Sequence, residues 1–375
     1  MAKTILITGG AGFIGSHCAA LLLGQGYGVR ALDSLDAQIH GPGSHPPPYL
    51  DKRVDLLVGD VRSPRAVRRA LADVDAVIHL AARVGVGQSM YEVAGYTDVN
   101  SCGTAVLLEA MVERAKHRAF SRLVVASSMS VYGEGLYCTA DGALVTNVQR
   151  SSRRLQSGLW EPTGCCGEPL RPLPTPETKP VSMCSVYALS KYDQERLCLM
   201  VGEAYGIPTV ALRFFNAYGP HQAISNPYTG VLAIFAARLL NNRPPLIFED
   251  GEQRRDFVYV GDVAEACRLA LCRDAAVGRV FNIGSGRAVT VSEVARLLAD
   301  ALGIPIEPEI TGECRMGDIR HCFPDISQAR SVLGYRPQTT LDEGIDRLVE
   351  WLDGRVAVDC VGEALTALAS RGLTV

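Results

Sequence analysis

The sequence predicts a doubly wound α/β fold, a Rossmann-like parallel sheet that carries a smaller mixed α/β substrate-binding lobe. Three observations point there. An apolar run, Thr4-Ile5-Leu6-Ile7, meets the glycine-rich turn Gly9-Gly10-Ala11-Gly12-Phe13-Ile14-Gly15 and continues as an apolar helix. A second strand, Val29-Arg30-Ala31-Leu32, ends in Asp33, at about the 20-residue offset expected of an acid that binds an adenosine ribose. Strand and helix patterns then alternate through the first half of the chain.

In the turn, Gly9 permits a sharp bend, Gly12 lets the backbone approach a pyrophosphate with no Cβ in the way, and Gly15 allows the helix to pack close to the strand. Phe13 and Ile14 occupy the helix's first turn, where free N–H groups and the helix dipole favour phosphate. A carboxylate at Asp33 accepts from both ribose hydroxyls and repels a 2′-phosphate, which favours NAD over NADP; Arg30 on the same strand is the feature that would suit the phosphate. The Pro- and Gly-rich stretch from Ala37 to Pro48 predicts no regular structure. A third strand, Asp55–Val58, leads to Asp60 and Val61, and Asp60 can reach an adenine edge or serve simply as a turn acid.

A helix over Arg65–Ala72 precedes the fourth strand, Ala76–His79, and then the small residues Leu80, Ala81 and Ala82, against which a cofactor can lie. Asn100 opens a helix running to about Arg114. The fifth strand delivers Ser127-Ser128-Met129-Ser130 to the same sheet edge. Periodicity fails from Glu134 to Met183, which marks an insertion loop whose Cys138, Cys165 and Cys166, with nearby Cys184, lack a full zinc-knuckle spacing. A long helix from Ser185 to about Ala204 sets Tyr187 and Lys191 one turn apart on one face. A strand, Thr209–Phe214, then reaches Asn216. Helices over Gly230–Leu240, Gly261–Leu271 and Val291–Leu302, with strands Pro245–Phe248 and Val280–Ile283, compose the rest, and Val361–Leu373 reads as an amphipathic helix. The expected division is 1–215 for the nucleotide-binding domain, 216–353 for a lobe partly interleaved with it, and 354–375 for a tail.

Composition bounds the function. With 375 residues, 47% hydrophobic and 21% charged content and a formal net charge of −3, the chain reads as an ordinary soluble protein with a sizeable core. No basic run points to nucleic acid, no apolar stretch has bilayer-spanning length, and no signal-peptide pattern precedes the first strand. The 12 cysteines then fit free thiols in a reducing cytoplasm, and no metal is expected.

Tyr187 and Lys191 are the sharpest catalytic signal: an ammonium near a phenol favours the phenolate, which can act as a base toward a hydroxyl, with Ser128 as the second hydroxyl. Here the chain resembles the extended short-chain dehydrogenase/reductases, in their nucleotide-sugar epimerase branch, from Thr4 to about Trp351. The resemblance rests on the glycine turn, Gly59-Asp60-Val61, Leu80-Ala81-Ala82, the Ser128 cluster, Tyr187-Ala188-Leu189-Ser190-Lys191, Arg213-Phe214-Phe215-Asn216, Asp250 to Phe257, and Asn282-Ile283-Gly284-Ser285-Gly286. It implies Tyr187 as base, Lys191 as its partner and ribose ligand, Ser128 as proton relay, and NAD as cofactor, with Asn100 beside it. It further implies that Asn216 contacts substrate, that Arg255 and Arg315 clamp a sugar-nucleotide diphosphate, that Asp318 orients a neighbour or binds the ribose, and that the protein is a homodimer.

Within that branch the residues after Ser128 separate the reactions. Dehydratases carry an Asp-Glu pair there and a decarboxylase a Glu at the second position, whereas this chain has Met129-Ser130, which leaves 4-epimerisation. Leu35 to Gly41, the Trp160-bearing insertion and Asn226-Pro227-Tyr228-Thr229-Gly230 resemble the dTDP-L-rhamnose 4-epimerase group. UDP-glucose and UDP-glucuronate remain open as substrates, and a non-catalytic NAD-binding scaffold is the reading from another class.

Overall fold

The computed structural model describes residues 3–43 and 45–374. Seven strands, β1 (Thr4–Thr8), β2 (Gly28–Asp33), β3 (Asp55–Val58), β4 (Ala76–His79), β5 (Arg122–Ser128), β6 (Thr209–Phe214) and β7 (Val280–Ile283), form one sheet in the order β7-β6-β5-β4-β1-β2-β3. Every pairing in it is parallel. A parallel sheet covered on both faces needs apolar residues on both sides of each strand, and β4, β5 and β6 are buried along their whole length. The chain winds outward from β1 to β3 and then returns to β4 on β1's other side. That reversal opens a crevice at the carboxyl ends of β1 and β4, the general ligand position of open α/β sheets.

One face of the sheet is covered by α1 (Phe13–Gly24), whose Cys18, Ala19 and Leu22 share a core with Val263, Ala266 and Ala270 of a later helix, Val260–Cys272. The other face is covered by α2 (Gly103–Ala115) and α3 (Val186–Tyr205) through Leu107, Met111, Cys198 and Leu199. Helix α3 starts where the Ser185 hydroxyl accepts from the Ala188 N–H at 3.1 Å, and it ends at Gly206, which takes the left-handed conformation at φ 66°. A further core, built from Leu232, Phe235, Val294, Leu298, Ile345 and Leu348, holds the smaller lobe together. Late in the chain, β7 joins the seven-stranded sheet and helix Val260–Cys272 packs with its first layer.

Several elements differ from the sequence reading. Ala37–His40 forms a short helix, because the Asp36 carboxylate accepts from the Gln38 N–H at 2.9 Å. The helix expected from Asn100 begins with a π-helical segment, Thr97–Cys102, before α2. The insertion is not a plain loop: Leu136–Cys138, Leu144–Val145 and Arg171–Leu173 make a three-stranded antiparallel sheet, and Ser152–Gln156 a short helix. A helix over Leu341–Leu352 was not read from the sequence; a capping box between Thr340 and Glu343 starts it. The last helix spans Val361–Ala369, shorter than expected, and the chain beyond it bridges Thr374 to Arg315. Among the described residues no helix is long and apolar enough to cross a membrane, and no group of His, Cys, Asp or Glu has the arrangement of a metal site.

Candidate active site

A cavity of about 500 Å³ lies at the crevice, lined by the glycine turn, the ends of β2, β4, β5 and β6, helix α3 and the segment from Asn216 to Gly230. Its floor depends on two close backbone approaches. Gly9, at φ 71°, bends the chain so tightly that a Cβ there would sit 3.0 Å from the Ala81 nitrogen. A Cβ on Gly15 would fall 2.2 Å from the Gly9 carbonyl oxygen, so only glycine brings α1 against the turn. At Gly12 a Cβ would meet only the Gly9 oxygen, at 3.3 Å, and the rest of that face is open to the cavity.

These residues fit NAD. No side chain caps α1 and no acid occupies its first turn, so its amino-terminal N–H groups are left for phosphate. The Asp33 carboxylate lines the cavity and is fixed by the Ala11 N–H at 3.0 Å and the Leu35 N–H at 2.9 Å, with His40 Nε2 3.6 Å away. Arg30, the residue that would have suited a 2′-phosphate, instead bonds Asp55 at 2.6 Å and the carbonyls of Ala70 and Ala72. Phe13, Ile14, Asp60, Val61, Leu80, Ala81 and Ala82 all line the cavity. The Arg62 guanidinium beside Asp60 holds that carboxyl below its usual range. Asn100 is fully buried behind the wall: its side chain accepts from the Arg83 N–H at 2.7 Å and donates to the Arg83 carbonyl and the Ser190 hydroxyl. It shapes the wall from outside the lining.

Ser128, Tyr187 and Lys191 all line the cavity. Burial pushes the Tyr187 phenol up, and the hydrogen bond with Ser128 opposes that rise. Burial lowers Lys191 to about 8. Its Nζ donates to the Gln194 Oε1 at 2.8 Å, and Ser128, not the ammonium, is the group that counteracts the rise at Tyr187. The acids in the lining are Asp33, which ends β2, and Asp36 and Asp60, which follow β2 and β3; none lies beside Ser128 in the chain.

The site therefore joins a dinucleotide turn to a Ser-Tyr-Lys set. The profile of the NAD dependent epimerase/dehydratase family matches residues 163–284, and that of GDP-mannose 4,6 dehydratase matches residues 6–139. The dTDP-L-rhamnose 4-epimerase of Burkholderia thailandensis is 37% identical over 352 residues, spanning 93% of this chain and 95% of that protein. The chain belongs to the NAD dependent epimerase/dehydratase family. The UDP-glucose 4-epimerase of Mycolicibacterium smegmatis is 32% identical, spanning 92% of this chain and 97% of that protein. Among solved structures, the UDP-glucose 4-epimerase of Thermotoga maritima with UDP-glucose superposes with a TM-score of 0.75 at 31% identity, covering 93% of this chain and 98% of that one. The UDP-glucose 4-epimerase of Thermus thermophilus in complex with NAD gives 0.73 at 31% identity, covering 94% and 100%. This epimerase is an NAD-dependent isomerase of the 4-epimerase kind.

The epimerase's expected substrate residues divide. Asn216 lines the cavity, and its side-chain oxygen is buried without a partner, as is that of Gln222 nearby. Arg255, Arg315 and Asp318 lie outside the lining. Arg255 donates to the carbonyls of Ile319, Arg254 and Arg320, while Arg315 pairs with Asp318 at 3.0 Å and covers the Phe248 ring. The insertion grips the same segment: Arg150 donates to the Asp318 carbonyl at 2.8 Å, and Arg320, buried, joins Glu161 of the insertion to Glu249 and Asp250. Of its cysteines, Cys138 is buried, whereas Cys165 and Cys166 are exposed with their sulfurs 3.8 Å apart.

Sequence reasoning missed His79, Gln194 and Gln222. Gln194 stands one turn beyond Lys191 on α3, a spacing that could have revealed it. His79 acquires its role only through the pairing of β1 with β4, which sets Thr8 opposite it, and no local pattern shows that.

Proposed function

We propose that the enzyme inverts C4 of a nucleotide-diphosphate sugar through a transient 4-keto sugar, with dTDP-L-rhamnose converted to dTDP-6-deoxy-L-talose as the reaction. The observation that carries the chemistry is the convergence of Ser128, Tyr187 and Lys191 on a cavity shared with the glycine turn, without a carboxylate beside Ser128. NAD, held by the glycine turn, Asp33 and the wall of Leu80, Ala81 and Ala82, would supply the hydride acceptor and donor for C4. Tyr187 removes the C4 hydroxyl proton, with its phenolate steadied by the Ser128 hydroxyl. Lys191, with Nζ donating to Gln194 Oε1, holds a ribose. Ser128 shares the proton, and on the return step Tyr187 gives it back. Asn216, whose buried oxygen has no protein partner, accepts from the substrate. Arg255 and Arg315 take the diphosphate once Asp318 and the neighbouring carbonyls release them, a role suited to bidentate guanidinium contacts.

The sugar assignment draws on the higher identity to the dTDP-L-rhamnose enzyme, 37% against 32% for the UDP-glucose enzyme quoted above. The TM-score of 0.75 to a structure holding UDP-glucose supports UDP-glucose as the second reading. A dimer through α2 and α3 fits the exposed apolar Leu189, Met200 and Tyr205 on α3, and a cytoplasmic setting fits the free thiols. Incubation with dTDP-L-rhamnose, UDP-glucose and UDP-glucuronate in deuterated water, followed by NMR, tests the reading. A C4 epimer of the rhamnose nucleotide with no deuterium on carbon is the expected result. Conversion of a UDP-sugar alone would overturn the substrate, and deuterium at C3 or C5 would overturn the mechanism.

A further inference from the structure

We propose that Gln194 is the positioning residue of the Lys191 ammonium, fixing it relative to the cofactor floor at Ala81 through a buried hydrogen-bond network. The inference rests on the reading of Tyr187 and Lys191 as the catalytic pair. Both Gln194 and Lys191 are buried, at 1% and 4% exposure, and Nζ lies 2.8 Å from Gln194 Oε1. An ammonium only donates, so the atom facing it is the amide oxygen, and the amide nitrogen points the other way. There it reaches the Thr104 hydroxyl at 2.9 Å and the Ala81 carbonyl at 3.3 Å.

The rest of the network fixes its own protons. The Thr104 hydroxyl donates to the Asn100 carbonyl at 2.5 Å, so it accepts from both the Gln194 amide and His79 Nε2, the latter at 2.9 Å. His79 therefore carries its proton on Nε2. Its Nδ1 accepts from the Thr8 hydroxyl at 2.7 Å, and that hydroxyl accepts from the Ala81 N–H at 3.2 Å. The 3.2 Å approach of the Gln194 nitrogen to His79 Nε2 is then a contact of two donors converging on one hydroxyl. Burial, with Lys191 adding to it, lowers His79 to about 3, which keeps the imidazole neutral and this arrangement intact. Both backbone groups of Ala81, a residue of the cavity wall, are thus tied to the amide that holds Nζ.

Among the described residues, the hydrogen bond of Nζ is the one to Gln194 Oε1. Tyr187 precedes the lysine by a turn. Glu195 is engaged by Arg213 at 2.7 Å and by the Ser127 hydroxyl at 2.7 Å. The Cys198 thiol is pushed up to about 12 by burial and stays neutral. The Gln194 carbonyl is the acceptor that fixes the ammonium's position, while desolvation lowers the lysine and the charge of Glu195 opposes that fall.

The test reads the lysine directly. The titration of Lys191, 4% exposed, can be followed without a reagent by the 13Cε chemical shift of the lysine across pH in the NAD-loaded protein and in Gln194→Glu and Gln194→Leu. Gln194→Glu keeps the shape and places a carboxylate at Nζ, so the titration midpoint should rise by about 1–3 pH units. Gln194→Leu removes the acceptor, so the midpoint should fall. The alkaline limb of kcat should move the same way in each variant, whereas a purely structural role would lower kcat at every pH alike. Retention of NAD marks a folded variant, and Gln194→Glu carries the test alone if Gln194→Leu does not fold. An unchanged midpoint in folded Gln194→Glu would overturn the proposal. Shifted midpoints in a protein that turns over no nucleotide sugar would uphold the positioning and sink the epimerase reading instead.

Discussion

The Ser130 hydroxyl donates to the Ser128 hydroxyl at 2.9 Å, and the Ser130 N–H points at the same oxygen from 3.2 Å. Ser128 thus receives two donors from one neighbour, and its own hydrogen is left to point at Tyr187. Ser130→Ala removes one donor and keeps the other. A single hydrogen bond contributes about 0.5–1.5 kcal/mol, so kcat should fall roughly 2–12-fold with KM unchanged. Steady-state kinetics decide, and a variant with wild-type kcat would remove Ser130 from the relay.

Tyr187→Phe tests the base itself. General-base catalysis contributes about 10²–10⁴-fold, so turnover should drop by that much while the protein still copurifies with NAD. The ring should keep its place, because Tyr187 meets Tyr96 edge-on with centroids 6.5 Å apart and its N–H is held by Ser89 Oγ at 3.0 Å. Undiminished turnover would remove Tyr187 as the base.

Much of this site was legible in the sequence because its parts are local. The glycine turn, Asp33 at the end of β2 and the one-turn spacing of Tyr187 and Lys191 each declare themselves within a single strand, turn or helix. Non-local roles were hidden. His79 depends on a strand register, Asn100 turned out to brace Arg83 from behind the wall, and Arg255 and Arg315 match a motif whose partners, Asp318 and the carbonyls of 319–320, only the fold reveals. The insertion lost its periodicity because strands of two and three residues are too short to show one.

Acid should destabilise the protein through histidines buried in the neutral form. Burial lowers His17, His79 and His221, the last two to about 3 and about 4. Below about 6.5 the unfolded chain takes up protons that these folded residues refuse. Their stabilisation is therefore fully present above that pH and is lost as pH falls toward the folded values. His221→Asn keeps a residue tolerant of the φ of 71° at this position and removes the titration. Thermal midpoints measured from pH 7.5 to 4.5 should fall less steeply for this variant than for the wild type; parallel curves would refute the assignment.

The carboxyl-terminal segment reaches back to the cavity by two routes. Leu368 packs on Gly87, and the Arg371 guanidinium lies 4.5 Å over the Tyr91 ring, whose hydroxyl is 2.6 Å from that of the cavity-lining Tyr228. Beyond the helix, the Met316 N–H donates to the Leu373 carbonyl at 2.9 Å, and Thr374 bridges Arg315. One segment thus braces both a wall of the cavity and the arginine assigned to the diphosphate. A cation over an aromatic ring contributes about 0.5–2 kcal/mol, so Arg371→Ala should raise KM for the nucleotide sugar roughly 2–30-fold. Because neither Tyr91 nor Arg371 is in the cavity lining, kcat and bound NAD should change little. A fall in kcat at constant KM would show that the segment acts on the chemistry instead of on substrate binding.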